Sequence, residues 1–256
     1  MENNISEPEI KTLEVKLPTQ QNKLSVPMAI IIAGVIIAGA ILLGGKSNNN
    51  SVTGTTGQLQ VVGQQQPSGQ VVDISKVKTA GEPFFGNPNA PVTMAYWLDY
   101  QCPFCRRFEE DAITQIMNDF VKTGKVKIVF KDFQFLGPDS QIAGLAGRAV
   151  WEVAPDKFYE WHKAMYDKQD NENSGWGNKA DILALTKSLG IDSVKVGELM
   201  ASKATEYQKA MDDDKTEGGA FGINGTPGSI IGKNLISGAQ PYSAVKQLID
   251  LALQGK

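Results

Sequence analysis

Cysteine is nearly absent from this chain: Cys102 and Cys105 are the only two in 256 residues. A secreted fold stapled by disulfides would carry several pairs. This one pair lies too close in sequence to close a stabilising loop, so stability must come from a core. Histidine is scarcer still, with His162 alone. A metal site normally takes four ligands, which one histidine and two cysteines do not supply, so neither a metal nor another cofactor is expected. Excess charge is missing too. The formal net charge is −3 and there is no long basic run, so nucleic acid is not an expected partner. What remains is an ordinary composition, 41% hydrophobic and 21% charged, in a chain long enough for one large domain or two small ones.

Polar residues dominate positions 1–23, with four glutamates, three lysines, Pro8 and Pro18. No hydrophobic period survives there, which predicts a disordered tail. Between 24 and 45 runs an uncharged apolar stretch after Lys23, Val26-Pro27-Met28 through Leu43-Gly44-Gly45. At roughly 18 residues it reaches the lower limit for a bilayer-spanning helix, and its missing polar face argues against a buried core helix. Ala38-Gly39-Ala40 resembles a cleavage site but falls inside the run, so an uncleaved signal anchor is favoured over a cleaved signal. Lys11, Lys16 and Lys23 precede the segment and Lys46 alone follows closely. The positive-inside bias then places the N-terminus in the cytoplasm and the remainder outside, as a single-pass membrane protein. Residues 46–76, rich in Asn, Ser, Thr, Gly and Gln, predict a flexible linker.

The folded domain is predicted over 77–256. Val92 to Leu98 is nearly continuously apolar, as in a strand buried on both faces. After the cysteines, Phe104, Phe108, Ala112, Ile116 and Phe120 recur every four residues with Arg106, Arg107, Glu109 and Glu110 between them, which predicts an amphipathic helix. Val126 to Lys131 reads as a second strand, hence a βαβ unit with a parallel pair. A helical block over about 138–219 follows, with segments at Leu145–Val153, Phe158–Tyr166, Ile182–Leu189 and Val194–Met211. Ser229-Ile230-Ile231 and Leu235-Ile236-Ser237 flank a tight turn and predict a hairpin. Pro241 opens a last helix, Tyr242 to Leu253.

Cys-x-x-Cys between strand and helix has a specific use. Unpaired N–H groups and the macrodipole at a helix N-terminus favour an anion, so Cys102 is the expected acidic nucleophile. Pro103 suits the first helical turn, where its missing N–H costs nothing. Cys105, three residues on, shares that helix face and is the natural resolving thiol. Phe104 offers the thiolate no hydrogen bond, so less stabilisation is expected than from a histidine there. Two inert structural cysteines are the competing reading, disfavoured by the oxidising location. Gly225-Thr226-Pro227-Gly228 reads locally as a turn.

Four pieces in order, Leu98 to Cys105, Ile128 to Phe133, Gly222 to Pro227 and Gly238 to Tyr242, make residues from about Glu82 onward resemble the DsbA-like thiol-disulfide oxidoreductases of the thioredoxin-like superfamily. The resemblance implies a thioredoxin-like α/β fold with a helical insertion capping the active site. It implies that Pro227 is cis, that Thr226 faces the dithiol, and that these two with Pro103 and Phe104 bind a substrate peptide as an added strand. Relatives often carry a buried acid six positions before the first cysteine, where this chain has Tyr96. Asp99 is the nearer candidate for a proton relay, against the plain reading of a solvated strand-end residue. The expected function is a membrane-anchored, extracytoplasmic oxidase acting on cysteine-containing proteins, with a membrane or extracytoplasmic partner to recycle it. A reductase or isomerase using the same dithiol, or a tethered peptide-binding chaperone module, are the alternatives.

Overall fold

Strand β2, Val92–Leu98, is buried at six of its seven positions, and the rest of the domain is laid around it. The computed structural model describes residues 72–255. The predicted tail, membrane helix and most of the linker therefore lie outside the described residues. Among the described residues, no helix is long and apolar enough to cross a membrane.

The five-stranded sheet runs β1-β3-β2-β4-β5, with β1 Phe84–Phe85, β3 Val126–Asp132, β4 Gly228–Ile231 and β5 Asn234–Ser237. Only β2 and β3 are parallel; the other neighbours are antiparallel. Alternation along β2 sorts its side chains onto two faces. Met94, Tyr96 and Leu98 join the large core with the helices, while Ala95 and Trp97 join a smaller one with Val72, Val77, Ile223 and Ile230. The sequence reading gave Val72 to the linker. Here the folded chain includes it, because Val72 covers this second face and a 3₁₀ turn at Ile74–Lys76 carries the chain to Val77. Strand β1 was also not anticipated; two residues are too few to show a period, and its pairing with β3 defines it.

Helix α1 follows the dithiol. It starts as Pro103–Phe108, then turns π-helical at Glu109–Ile113 and again at Met117–Val121, with Thr114–Ile116 between. The four-residue spacing accounts for this. A regular α-helix has 3.6 residues per turn, so a period of four would drift off the core face. The wider π turns absorb the drift and keep Phe108, Ala112, Ile116 and Phe120 all buried.

Between β3 and β4 stand α2 Pro138–Val153, α3 Phe158–Lys168, α4 Lys179–Ser188, α5 Ser193–Ser202 and α6 Ala204–Ala220. The single segment predicted over Val194–Met211 is thus two helices. Lys203 breaks them by leaving the helical region, at φ −108° and ψ 17°. No Gly or Pro marks the break, which is why periodicity ran through it. Helix α7, Tyr242–Leu253, closes the fold on Val245 and Ile249.

Candidate active site

Backbone geometry at the end of β2 delivers Cys102 to the N-cap of α1, with extended φ −78° and ψ 117°. The Cys102 carbonyl accepts from Cys105 N at 3.0 Å and Arg106 N at 3.2 Å, so the first turn closes on the nucleophile's own residue. Pro103 occupies the first turn and Phe104 is 54% exposed beside the dithiol, with Arg107 stacked 5.3 Å over its ring. Both cysteines are buried and not bonded to each other. The Thr226-Pro227 peptide is cis, and the Cys102 thiol donates to the Thr226 carbonyl at 3.4 Å. The fold therefore brings Cys102, Cys105, Thr226 and Pro227 to one place, from segments over a hundred residues apart.

The two thiols are unlike. Cys102 is lowered to about 6, chiefly by a hydrogen bond from Cys105, against burial and helped by Thr226 and the first-turn N–H groups. Cys105 is pushed well above the ordinary thiol range by burial, then by the neighbouring Cys102. Near neutrality the pair is thus a thiolate and a thiol, the thiol donating. The neutral Cys102 thiol donates to the Thr226 carbonyl; as a thiolate it can instead accept from the Thr226 hydroxyl, which closes no bond of its own. The Phe104 side chain contributes no donor, and those present come from Cys105, Thr226 and the first-turn N–H groups.

Asp99 is not a solvated strand-end residue. It is fully buried, and its carboxylate accepts from Gln101 N at 2.9 Å, Phe135 N at 3.0 Å, Leu136 N at 3.2 Å and Ser140 Oγ at 2.7 Å. Four donors occupy it fully, so it fastens the dithiol turn to the loop carrying Phe135. That phenylalanine is 46% exposed and adds a second apolar surface. A relay role for Asp99 would require breaking that set.

Gln169, which sequence reasoning passed over, holds the site from behind together with Arg106 and His162. Gln169, at the end of α3, donates from Nε2 to the Tyr100 carbonyl at 2.7 Å and the Cys102 carbonyl at 3.1 Å. Arg106 reaches back to the Gln169 carbonyl at 2.9 Å. His162 is fully buried, with Nε2 2.7 Å from Glu109 Oε1 and Nδ1 3.1 Å from the Tyr100 hydroxyl. Both its ring nitrogens are engaged, and among the described residues no group of three or more His, Cys, Asp or Glu side chains is placed to hold a metal. Glu109 was read as part of the polar face of α1, yet it is buried. The signal was available: Glu109 shares its four-residue phase with Ile113, Met117 and Val121, all buried.

A family model described as thioredoxin matches residues 78–251. Disulfide bond formation protein D of Bacillus subtilis is 30% identical over 179 residues, 69% of this chain and 79% of that relative. Among solved structures, oxidised BdbD of Bacillus subtilis superposes with a TM-score of 0.64 at 30% identity, covering 70% of this chain and 96% of that one. The thiol-disulfide exchange protein alpha-DsbA2 of Wolbachia pipientis gives 0.60 at 27% identity, over 67% and 87% of the two chains. The family match takes in the dithiol, the strand after Pro227 and the helices between, and with these relatives it shows that the chain belongs to the thioredoxin family and is a DsbA-like thiol-disulfide oxidoreductase.

Proposed function

We propose that this enzyme runs as an oxidase outside the cytoplasm, passing its Cys102–Cys105 disulfide to protein dithiols. The observation that carries the direction is the Cys102 thiol lowered to about 6. A stabilised thiolate lowers the free energy of the reduced enzyme, which makes its disulfide a stronger oxidant, and a low-pKa sulfur leaves faster from a mixed disulfide. Cys102 is the nucleophile and Cys105 the resolving thiol. The substrate peptide lies against Pro103, Phe104, Thr226 and Pro227. The matched relative's name, a disulfide bond formation protein, supports the same direction.

Two measurements made on one preparation test the direction. Thiolate absorbance should titrate with a midpoint near 6. Equilibration with glutathione should give a reduction potential more oxidising than about −200 mV; a value near that of thioredoxin, about −270 mV, would reassign the enzyme to reduction. The pH dependence has a definite sign. A depressed native pKa stabilises the reduced protein above the unfolded thiol's pKa, and that contribution is lost as pH falls through the native one. Cys105 stays protonated across this window. Reduced protein should therefore lose stability relative to oxidised protein between about pH 9 and pH 6.

The uncharged apolar run at 24–45 and the lysine bias before it support a single-pass anchor with the catalytic domain outside, on a tether within 46–76. A recycling partner in or near the same membrane follows from that location. The anchored chain should stay with the membrane pellet through alkaline carbonate extraction, whereas its appearance in the supernatant would remove the anchor.

A further inference from the structure

Four consecutive residues lead from the end of β2 to the dithiol, and each is bonded to one stretch of the helical block. The Asp99 carbonyl accepts from the Tyr166 hydroxyl at 3.3 Å. The Tyr100 and Cys102 carbonyls accept from Gln169 Nε2 at 2.7 Å and 3.1 Å. Gln101 Oε1 accepts from Asn173 N at 3.0 Å. The ladder between β2 and β3 ends at Leu98 and Asp132. The sheet therefore stops short of this turn, and segment 166–173 supplies its donors instead. Gln169 is itself held. It is 7% exposed, and Arg106 donates to its carbonyl at 2.9 Å. Its amide can point only one way, because the reverse would set Oε1 against two carbonyl oxygens. Asn173 seats the loop that follows. It is the only non-glycine residue at positive φ among the described residues, at 52°, a conformation asparagine tolerates better than most. Its Nδ2 donates to the Leu136 carbonyl at 2.6 Å, and its Oδ1 accepts from Asp139 N at 3.4 Å. Gly137 leaves room for it, since a Cβ there would lie 2.5 Å from Asn173 Oδ1.

We propose that Gln169 is a positioning residue of this oxidoreductase: its amide fixes the Cys102 backbone so that the sulfur stays against Cys105 and Thr226, and Asn173 keeps that amide seated. This rests on the reading of Cys102 as the nucleophile. Gln169 touches no reacting atom and acts through the Cys102 carbonyl. The sulfur is joined to Cα through Cβ alone, so rotation of the 100–102 backbone swings it. The Thr226 carbonyl, 3.4 Å from that sulfur, belongs to a distant segment and does not follow. A released turn therefore loses the donors to the thiolate and its line of approach together, and an ångström of misplacement can cost about a hundredfold in rate. The helical block thus sets the acidity and aim of the nucleophile from the C-terminal end of α3. A merely structural contact would differ: it would hold the fold together and leave the reactivity of the folded protein alone.

Gln169→Met in the full-length protein keeps the length of the side chain and removes both donated bonds. Three readouts are taken on the folded variant. The thiolate absorbance midpoint should rise from near 6 toward the ordinary thiol range. Equilibrium with glutathione should shift toward the enzyme disulfide, since a less stabilised thiolate makes a weaker oxidant. Oxidation of a reduced peptide should slow by about tenfold, below the full cost of an ångström of misplacement. A variant that lowers only the urea midpoint, with the thiolate midpoint and the glutathione equilibrium unmoved, overturns the inference. Asn173→Gly keeps the left-handed backbone and deletes the bonds to Leu136 and Asp139 at an exposed position. It should move the thiolate midpoint the same way by less. If Gln169→Met does not fold, Asn173→Gly decides alone, and an unmoved midpoint there overturns the inference. Alkylating the parent with iodoacetamide and locating the modified residue tests the reading beneath. Modification first at Cys105 would remove Cys102 as the nucleophile, whereas modification at Cys102 with unmoved variants removes only the role of Gln169, so the two failures are distinct.

Discussion

The Cys102→Ser variant is expected to lose oxidation of reduced peptide substrates by more than about a thousandfold, the scale at which deleting the nucleophile of a catalytic unit is felt. Cys105 cannot take its place. It is fully buried, and its pKa is driven upward by that burial, so near neutrality almost none of it is thiolate. The Cys105→Ser variant has a different expected outcome. Cys102 can still be joined to a substrate sulfur, but nothing resolves the bond, so a mixed disulfide accumulates and is visible as a mass increase on a non-reducing gel. The thiolate titration should move too, because the hydrogen bond from Cys105 is the largest influence lowering Cys102. Serine keeps a donor of similar reach, whereas Cys105→Ala removes it. The titration midpoint should therefore rise more in the alanine variant than in the serine variant. Retained turnover in Cys102→Ser, or an unmoved midpoint in Cys105→Ala, would count against the site as drawn.

The parts of this site legible in the sequence are those built by local chemistry. The Cys-Pro-Phe-Cys turn, the buried strand before it and the parallel strand after α1 follow from spacing and period alone. Pro227 entered through resemblance, since X-Pro by itself favours trans. What period could not show is where polar side chains end up once the helical block closes. Asp99 reads as a strand-end carboxylate until the Phe135–Ser140 segment brings three of its four donors to it. Gln169 lies in a plain Lys-Gln-Asp stretch, and only the return of α3 puts its amide on two carbonyls of the dithiol turn. Lys203 breaks a helix with a residue of good helix propensity, so tertiary contacts override the local preference there. Glu109 is the instructive error. It was assigned by residue type, as a charge, although the adjacent phase it opens, with Ile113, Met117 and Val121, is apolar and buried too.

The largest stability effect in the domain is expected away from the thiols, at Arg148. Its guanidinium reaches three carboxylates: Asp132 Oδ2 at 2.6 Å from Nε, Glu82 Oε2 at 2.7 Å from Nη1, and Asp214 Oδ2 from Nη2. Lys131 completes the cluster with Glu82 at 3.4 Å, Glu217 at 3.0 Å and Asp214. Four carboxylates share two cations, and the result is visible in Asp214, raised to about 7 by burial and by Asp132. These contacts tie the lead-in to β1, the end of β3, α2 and α6 together, so the helical block is riveted to the sheet by charge as well as by apolar contact. Arg148→Met keeps most of the length and removes the charge. It leaves buried carboxylates without their cation, a loss of about 3–5 kcal/mol, to be read from the urea midpoint at constant slope. The pH dependence follows from the direction of the shifts. Asp132 and Asp214 have raised native pKa values, so the folded state gains relative to the unfolded one as pH falls from about 7 toward the ordinary carboxylate range. Removing Arg148 raises them further, and protonation then relieves more of the penalty in the variant than in the parent. The stability gap should therefore be widest at pH 7 and narrower at pH 5. A gap that is small at pH 7 and constant with pH would mean that these carboxylates are already neutralised by water or protons rather than by Arg148. The thiolate midpoint of Cys102 should stay near 6 in the folded variant, since Arg148 is not among the groups that set it.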